Sequence, residues 1–447
     1  MPNLRPILIS CLLFAGCGQD SSINYEEYAD AAMDLEQACF YPGRKAVAVA
    51  AGDTHTCVRL TNNAIKCWGD GGTGQTGYGN NDQLDSAPAA QVSVAFSSLG
   101  ISTGSSHTCA LSSGGIGKCW GHGSNGKLGL GNTSPLNAPS ATAINFGSGR
   151  TATSVVGGIS STCAVLDNGR VKCWGLNNNN NKLGYSGSLT QLTSPGANGA
   201  GAATPNGADA TGEITGVTAV AVGYTHTCVI TGGAVKCWGA NDTAQLGVTT
   251  ETAASAVASS PATPSLGGGT AVAIVASDRF TCALMSGGSV MCWGLNTYGQ
   301  LGMSHTNNIP STTPAYSIAA VDLGTGLTAT AVSTGKNHTC AVLNTGGVKC
   351  WGFGAGGRLG LNNEDNVGDT AEAGHPVSSV SPISLGGSAI SVAAGAEHSC
   401  AVLSDNSVKC WGANASGQLG NNGANEYAAS LVPVAVVFSC GTGITCP

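Results

Sequence analysis

The stretch "HTCAVLNTGGVKCWG", residues 338–352, places two cysteines ten positions apart around a Gly-Gly turn and ends in Trp-Gly. The same pattern recurs seven times along the chain. The first cysteine of each unit is Cys57, Cys109, Cys163, Cys228, Cys282, Cys340 or Cys400, and the second is Cys67, Cys119, Cys173, Cys237, Cys292, Cys350 or Cys410. A Trp-Gly follows every second cysteine, at Trp68, Trp120, Trp174, Trp238, Trp293, Trp351 and Trp411, which are the seven tryptophans of the chain. Consecutive units lie 52 to 65 residues apart. That length suits a small four-stranded sheet with its loops.

Turn chemistry indicates what each cysteine pair does. With Cys340 and Cys350 directly opposite on antiparallel strands, Val342 faces Val348 and a three-residue loop remains, Asn344-Thr345-Gly346. Such a loop calls for a left-handed residue at its third position. In the six units with ten-residue spacing that position is Asn63, Gly115, Gly169, Gly288, Gly346 or Asn406. Gly and Asn are the residues most tolerant of positive φ. In the fourth unit Cys228 and Cys237 are nine apart, and the same pairing leaves a two-residue Gly232-Gly233 loop, which suits a primed hairpin turn. The loop shortens by one while the cysteines stay opposite. The seven pairs therefore read as cross-strand disulfides, each closing a loop of about 11 residues and worth roughly 2–3 kcal/mol in the chain-entropy model.

Zinc is the competing reading. His55, His107, His226, His338 and His398 each lie two residues before a first cysteine, on the same strand face. Two units carry Ser161 and Phe280 there yet keep both cysteines, and no fourth ligand recurs, whereas a structural zinc needs four. No metal is expected, and the histidines read as structural hydrogen-bonding groups. Thioredoxin-like chemistry wants Cys-x-x-Cys, which these pairs are not. Along the second strand Cys350 and Trp351 point to opposite faces. One face carries the staple and the other a large ring, whose expected use is packing against the neighbouring sheet.

Before each hairpin runs an apolar strand ending in Gly, as in "VAVAAGDTHTC" and "ISVAAGAEHSC". After it comes Gln, Lys or Arg followed by Leu-Gly: Lys127-Leu128-Gly129, Lys182-Leu183-Gly184, Gln245-Leu246-Gly247, Gln300-Leu301-Gly302, Arg358-Leu359-Gly360 and Gln418-Leu419-Gly420, with Gln75-Thr76-Gly77 as the most divergent copy. This pattern resembles the regulator of chromosome condensation repeat family over roughly residues 45 to 438. The resemblance implies an all-β fold, a seven-bladed β-propeller with four-stranded blades, closed so that first and last blades meet. Closure leaves no long open sheet edge.

The ends of the chain do not repeat. "MPNLRPILISCLLFAGCGQD" has Arg5, an apolar run from Ile7 to Phe14, and small residues ahead of a cysteine, which reads as a secretory signal. "LFAGC" resembles the lipobox of bacterial lipoproteins. Residues 1–16 are then the signal peptide, and Cys17 is the first mature residue and the lipidation site. Residues 17–44 read as an acidic linker in which Tyr25, Tyr28, Ala32, Leu35 and Cys39 have the spacing of a short amphipathic helix outside the propeller. Residues 439–447 form a cysteine-containing tail. Cys39, Cys440 and Cys446 are three, so one stays free or pairs with another chain. Either Cys39 joins one of the C-terminal two and clasps the ends, or Cys440 pairs with Cys446.

Composition limits the function classes. Only 9% of residues are charged, 5% are aromatic, and there are 68 glycines, a profile of short strands and turns. The net charge is −7, so no broad cationic field attracts nucleic acid. Nineteen cysteines argue for an oxidising compartment, the bacterial cell envelope or beyond, reached by export. His122, His305 and His375 are isolated, no nucleophile motif or phosphate-cradling loop accompanies them, and the chain reads as a non-enzyme without cofactors. Loops on a rigid scaffold are where binding resides. Two are rich in Asn, Asp and Gly, residues 177–181 and 361–369, and read as solvated turns.

The leading expectation is a monomeric, surface-tethered or periplasmic protein-protein interaction module with an unknown protein partner, touching the membrane only through a lipid anchor. The alternative is an inhibitor of an extracellular enzyme, a role that a secreted bacterial β-lactamase inhibitor fills with a similar propeller. The family's founding activity, exchange of guanine nucleotide on a small GTPase, is the remote third.

Overall fold

In the computed structural model the described residues are 45–438, without 89, 178–180, 185–190, 194–213, 250–254, 257–259, 310–317, 370–374 and 423–427. The signal peptide, the linker helix and Cys17, Cys39, Cys440 and Cys446 fall outside them.

Each repeat begins with three antiparallel strands. In the first these are β1 (Ala46–Ala51), β2 (His55–Leu60) and β3 (Ile65–Gly69), hydrogen-bonded in that order. The other six repeats are built alike, their middle strands being His107–Ser112, Ser161–Leu166, His226–Thr231, Phe280–Met285, His338–Leu343 and His398–Leu403. Five of these last six strands are buried at every position. Alternation is lost because neighbouring sheets cover both faces, the situation in which strands read as continuous apolar runs.

Three sheets gain a fourth strand, Gln191–Leu192, Ser255–Ala256 or Ser430–Ala435, and four sheets have three strands. In those four the outer segment is reduced to an isolated bridge, such as Gly69 with Leu84 or Gly352 with Val367. The third strand there ends at the glycine after Trp, and at its start a further segment donates one backbone hydrogen bond, as Val92 N–H does to Ile65 O and Ile383 N–H to Val348 O. Among the described residues a fourth strand is thus formed in three of the seven sheets.

The hairpins follow the turn chemistry. Cys340 pairs with Cys350 and Val342 with Val348, and Gly346 N–H donates to Leu343 O at 2.9 Å. The third loop residue is left-handed in all six longer hairpins, with φ from 63° at Asn63 to 81° at Gly288. In the short hairpin Gly232 and Gly233 have φ of 57° and 78°. Both positive values are what a type I′ turn requires.

The pairing of first and middle strands slips by one residue in every repeat, and the bulge falls on Val47, Leu99, Thr153, Thr218, Val272, Thr330 or Ile390. The three threonines turn their hydroxyls to a carbonyl of the middle strand, for example Thr330 to Val342 O at 3.3 Å. Leu99, Val272 and Ile390 stay about half exposed, at 53%, 54% and 49%. A bulge re-aims a side chain at a sheet rim.

The first and last repeats meet. Ala87 N–H donates to Val437 O at 3.0 Å, and Phe438 lies edge-on to Trp68 with ring centroids 6.3 Å apart. Strands β1 to β3 form their sheet with no C-terminal strand, and Ser430–Ala435 pairs within the last repeat.

Candidate functional site

The cysteines occupy facing positions in all seven hairpins and are bonded, Cys57 to Cys67, Cys109 to Cys119, Cys163 to Cys173, Cys228 to Cys237, Cys282 to Cys292, Cys340 to Cys350 and Cys400 to Cys410, with Cα atoms 4.0–4.1 Å apart. Each disulfide looks toward the next repeat. Cys340 Sγ lies 3.6 Å from Ser399 Oγ, and Cys57 Sγ lies 3.8 Å from Thr108 Oγ1. Each tryptophan looks toward the preceding repeat. All seven rings are buried.

A single backbone carbonyl joins each repeat to the next. In "Gln-Leu-Gly" Gln300 O accepts Trp351 Nε1–H at 3.1 Å and Thr339 Oγ1–H at 2.9 Å. Gln75, Lys127, Lys182, Gln245, Arg358 and Gln418 repeat the arrangement toward Trp120, Trp174, Trp238, Trp293, Trp411 and Trp68. The Gln418 joint runs from the last repeat to the first, since Thr56 also donates to Gln418 O at 2.9 Å. The glycine that follows exists for the ring, because a Cβ on Gly302 would meet Trp351 Nε1 at 2.9 Å. The tripeptide was legible in the sequence, but its carbonyl was not, since a main-chain group leaves no residue signature.

The histidines complete five of the joints. His55 Nε2 lies 2.9 Å from Thr108 Oγ1, and His107, His226, His338 and His398 lie 2.7–2.9 Å from Thr162, Thr281, Ser399 and Thr56. The hydroxyl already donates to the carbonyl, so it accepts from Nε2–H, which assigns the neutral Nε2 tautomer. Nδ1 has no partner in any of the five. Burial holds the rings neutral, lowering the pKa of His55 to about 4 and of His226 and His398 to about 3. Among the described residues no three His, Cys, Asp or Glu side chains gather as for a metal ion.

The residues just after the first strands surround one cavity of about 420 Å³, to which all seven repeats contribute. Backbone hydrogen bonds form a collar around it. Asp53 N–H donates to Ser105 O, Ser105 to Gly158 O, Tyr224 to Ser277 O, Lys336 to Gly395 O and Ala396 to Gly52 O. The rim is charged, with Asp53, Asp278, Arg279 and Lys336 on it. Burial pushes the Asp53 carboxyl up, against the opposing pull of Lys336 and Lys127. Below the rim Lys182 Nζ donates to Ser160 Oγ at 2.7 Å and to Tyr224 O at 2.8 Å, and burial lowers its pKa to about 7. Burial likewise lowers Lys127 to about 8. Lys127 and Lys182 thus serve twice, with the carbonyl in a joint and the ammonium beneath the cavity. Sequence reading missed this site because its members stand one per repeat, 52 to 65 positions apart.

Five segments, residues 46–75, 152–181, 271–300, 329–357 and 389–418, match one model of the regulator of chromosome condensation (RCC1) repeat, and residues 287–342 and 345–402 match a second. Over these segments the chain is similar to regulator of chromosome condensation repeats. The ultraviolet-B receptor UVR8 of Arabidopsis thaliana is 28% identical over 384 residues, covering 85% of this chain and 79% of the receptor. Among solved structures, Prp20p of Saccharomyces cerevisiae superposes with a TM-score of 0.67 at 18% identity, covering 94% of this chain and 91% of that one. Human WBSCR16 gives a TM-score of 0.61 at 18% identity over 80% and 86% of the two chains. These likenesses show an RCC1-like propeller. The disulfide in every repeat is a feature of this chain's own sequence and structure.

Proposed function

We propose that the chain is a closed seven-bladed propeller that works outside the cytoplasm as a protein-binding module, exported by residues 1–16 and anchored through a lipid on Cys17. The observation that carries this reading is the stapled joint. Seven disulfides alternate with seven carbonyl-centred joints, including the one from Gln418 to Thr56 and Trp68, so the ring holds its faces rigid. Bridges of this number persist only in an oxidising compartment. Among the described residues no helix is long and apolar enough to cross a membrane. Solved relatives support a protein partner, since Prp20p was crystallised in a study of its binding to Gsp1p and histones. We read the chain as a binding protein and not an enzyme.

Crosslinking capture from cell envelope and culture fluid, with the full chain as bait, tests the reading. One or a few envelope or secreted proteins enriched over a reduced-disulfide control is the expected result. Capture that is unchanged after the disulfides are reduced and the propeller unfolded would overturn it. Fatty-acid labelling that persists in Cys17→Ser would remove the anchor from the proposal.

A further inference from the structure

The collar cavity holds charges that the fold itself does not use. Most charged groups at this end of the molecule are matched: Arg279 Nη1 lies 2.6 Å from Asp242 Oδ2, and Arg358 Nη2 lies 3.8 Å from Glu397 Oε1. Asp53, Asp278 and Lys336 are the exceptions. Among the described residues none of the three makes a side-chain hydrogen bond or ion pair, although all three line the same cavity. Lys336 is the cation that acts most strongly on Asp53, and after Arg279 it acts on Asp278 as well, so it stands within electrostatic reach of both carboxylates. Lys127 adds a second cation toward Asp53 from beneath.

Nothing in the joints requires these groups. The equivalent positions in other repeats are Ser105, Ile159, Tyr224 and Ala396, and the collar bond forms at Ser105, Tyr224 and Ala396 with an uncharged side chain. A carboxylate half removed from water without a partner is costly, and opposed charges held short of contact leave room for a ligand that satisfies both. The walls between them are main chain at Gly52, Gly104 and Gly335, which brings backbone close to anything in the cavity.

We propose that this cavity binds a small zwitterion, a free α-amino acid, with its ammonium group between Asp53 and Asp278 and its carboxylate on Lys336. The volume, about 420 Å³, falls within the range of small-molecule sites and exceeds what a single amino acid fills. Charge-assisted hydrogen bonds from opposite ends of one ligand give the selectivity, because an amine alone leaves Lys336 uncompensated and a carboxylate alone leaves both aspartates so. This site is independent of the protein-binding reading.

Isothermal calorimetry on the full, oxidised chain tests it, using a series of free α-amino acids with the N-acetylated and the decarboxylated forms of each as probes. At least one free amino acid is expected to bind saturably. Both single-charge analogues should bind roughly tenfold or more weakly, as should the ligand to Asp53→Asn and to Lys336→Met. Lys336 is exposed, so Lys336→Met keeps its fold and its melting temperature even if Asp53→Asn does not. Absence of saturable binding across the series overturns the proposal, and so does a decarboxylated amine that binds as tightly as its parent. Unaltered protein capture by Lys336→Met, beside lost amino-acid binding, separates the two functions.

Discussion

Five joints contain a histidine and two do not, and the two kinds differ beyond that side chain. At the His55, His107, His226, His338 and His398 joints the residue after the glycine donates its N–H to the neighbouring repeat, closing the collar. At the Ser161 and Phe280 joints Ile159 and Asp278 make no such backbone bond. The shared carbonyl, a hydroxyl (Thr in six, Ser399 in one) and the Trp ring are present in all seven. Thus the carbonyl joint holds repeats together, and the histidine sets how closely their inner edges approach.

The steric reason is visible at the glycine. A Cβ on Gly335 would lie 2.2 Å from both His338 Cε1 and Gly395 O. Only Gly admits the imidazole beneath it and the neighbour's carbonyl beside it. The fifth repeat has Ser277 in that place, and it has Phe280 where the others have His. The third keeps Gly158, but Ser161 is too short to reach the next hydroxyl and its own Oγ is left without a partner.

The largest effect should come from the element that both kinds of joint share. Reduction of all seven disulfides removes roughly 2–3 kcal/mol for each 11-residue loop, enough together to exceed the whole stability of an ordinary domain. Denaturation monitored by tryptophan fluorescence with and without reductant measures it; a reduced chain that melts at the same temperature would make the staples ornamental.

Acid should act next, and on the five histidine joints alone. Burial lowers the folded pKa of His55 to about 4 and of His226 and His398 to about 3. In the unfolded chain each histidine titrates near 6.5, so between those values the unfolded state binds more protons. Stability from these groups is then complete above about pH 6.5 and falls toward pH 4, by about 1.4 kcal/mol per pH unit for each fully depressed histidine. The stability-pH slope of His398→Phe, measured by urea unfolding, should be shallower by about one proton than that of the parent.

A single joint loses less. Trp351→Ala should cost about 3–5 kcal/mol, from the cavity and the orphaned Gln300 carbonyl. Trp293→Ala, whose joint at Gln245 O contains His226 whereas that of Trp351 contains no histidine, should cost the same within error. Unequal losses in urea unfolding would place the histidine inside the carbonyl joint after all.

The smallest effect is the most discriminating. Phe280→His alone should destabilise by about 1–3 kcal/mol, because Ser277 occupies the space the ring needs. Adding Ser277→Gly should recover the loss and close the collar, with slowed hydrogen exchange at the Asp278 amide. If the single change is tolerated as well as the double, the steric account fails.

Much of this protein was legible before any coordinates. Hairpin register followed from two constraints that agree locally, facing cysteines and a left-handed residue at a fixed loop position, and each spans about a dozen residues. Seven copies turned a weak signal into an architecture, and the histidines were separated from zinc ligands by their absence from two units. Tertiary structure alone decided where those side chains meet. His338 finds Ser399 61 residues away, and the Trp rings find a carbonyl that no side chain marks. The number of strands per sheet also depended on it, since outer segments pair only as far as their loops carry them along the edge. The charged cavity is the clearest case, because Asp53, Asp278 and Lys336 belong to no common motif. They become neighbours because repeats 1, 5 and 6 turn the same corner of their sheets toward one axis, and proximity across an axis has no counterpart in the order of a chain.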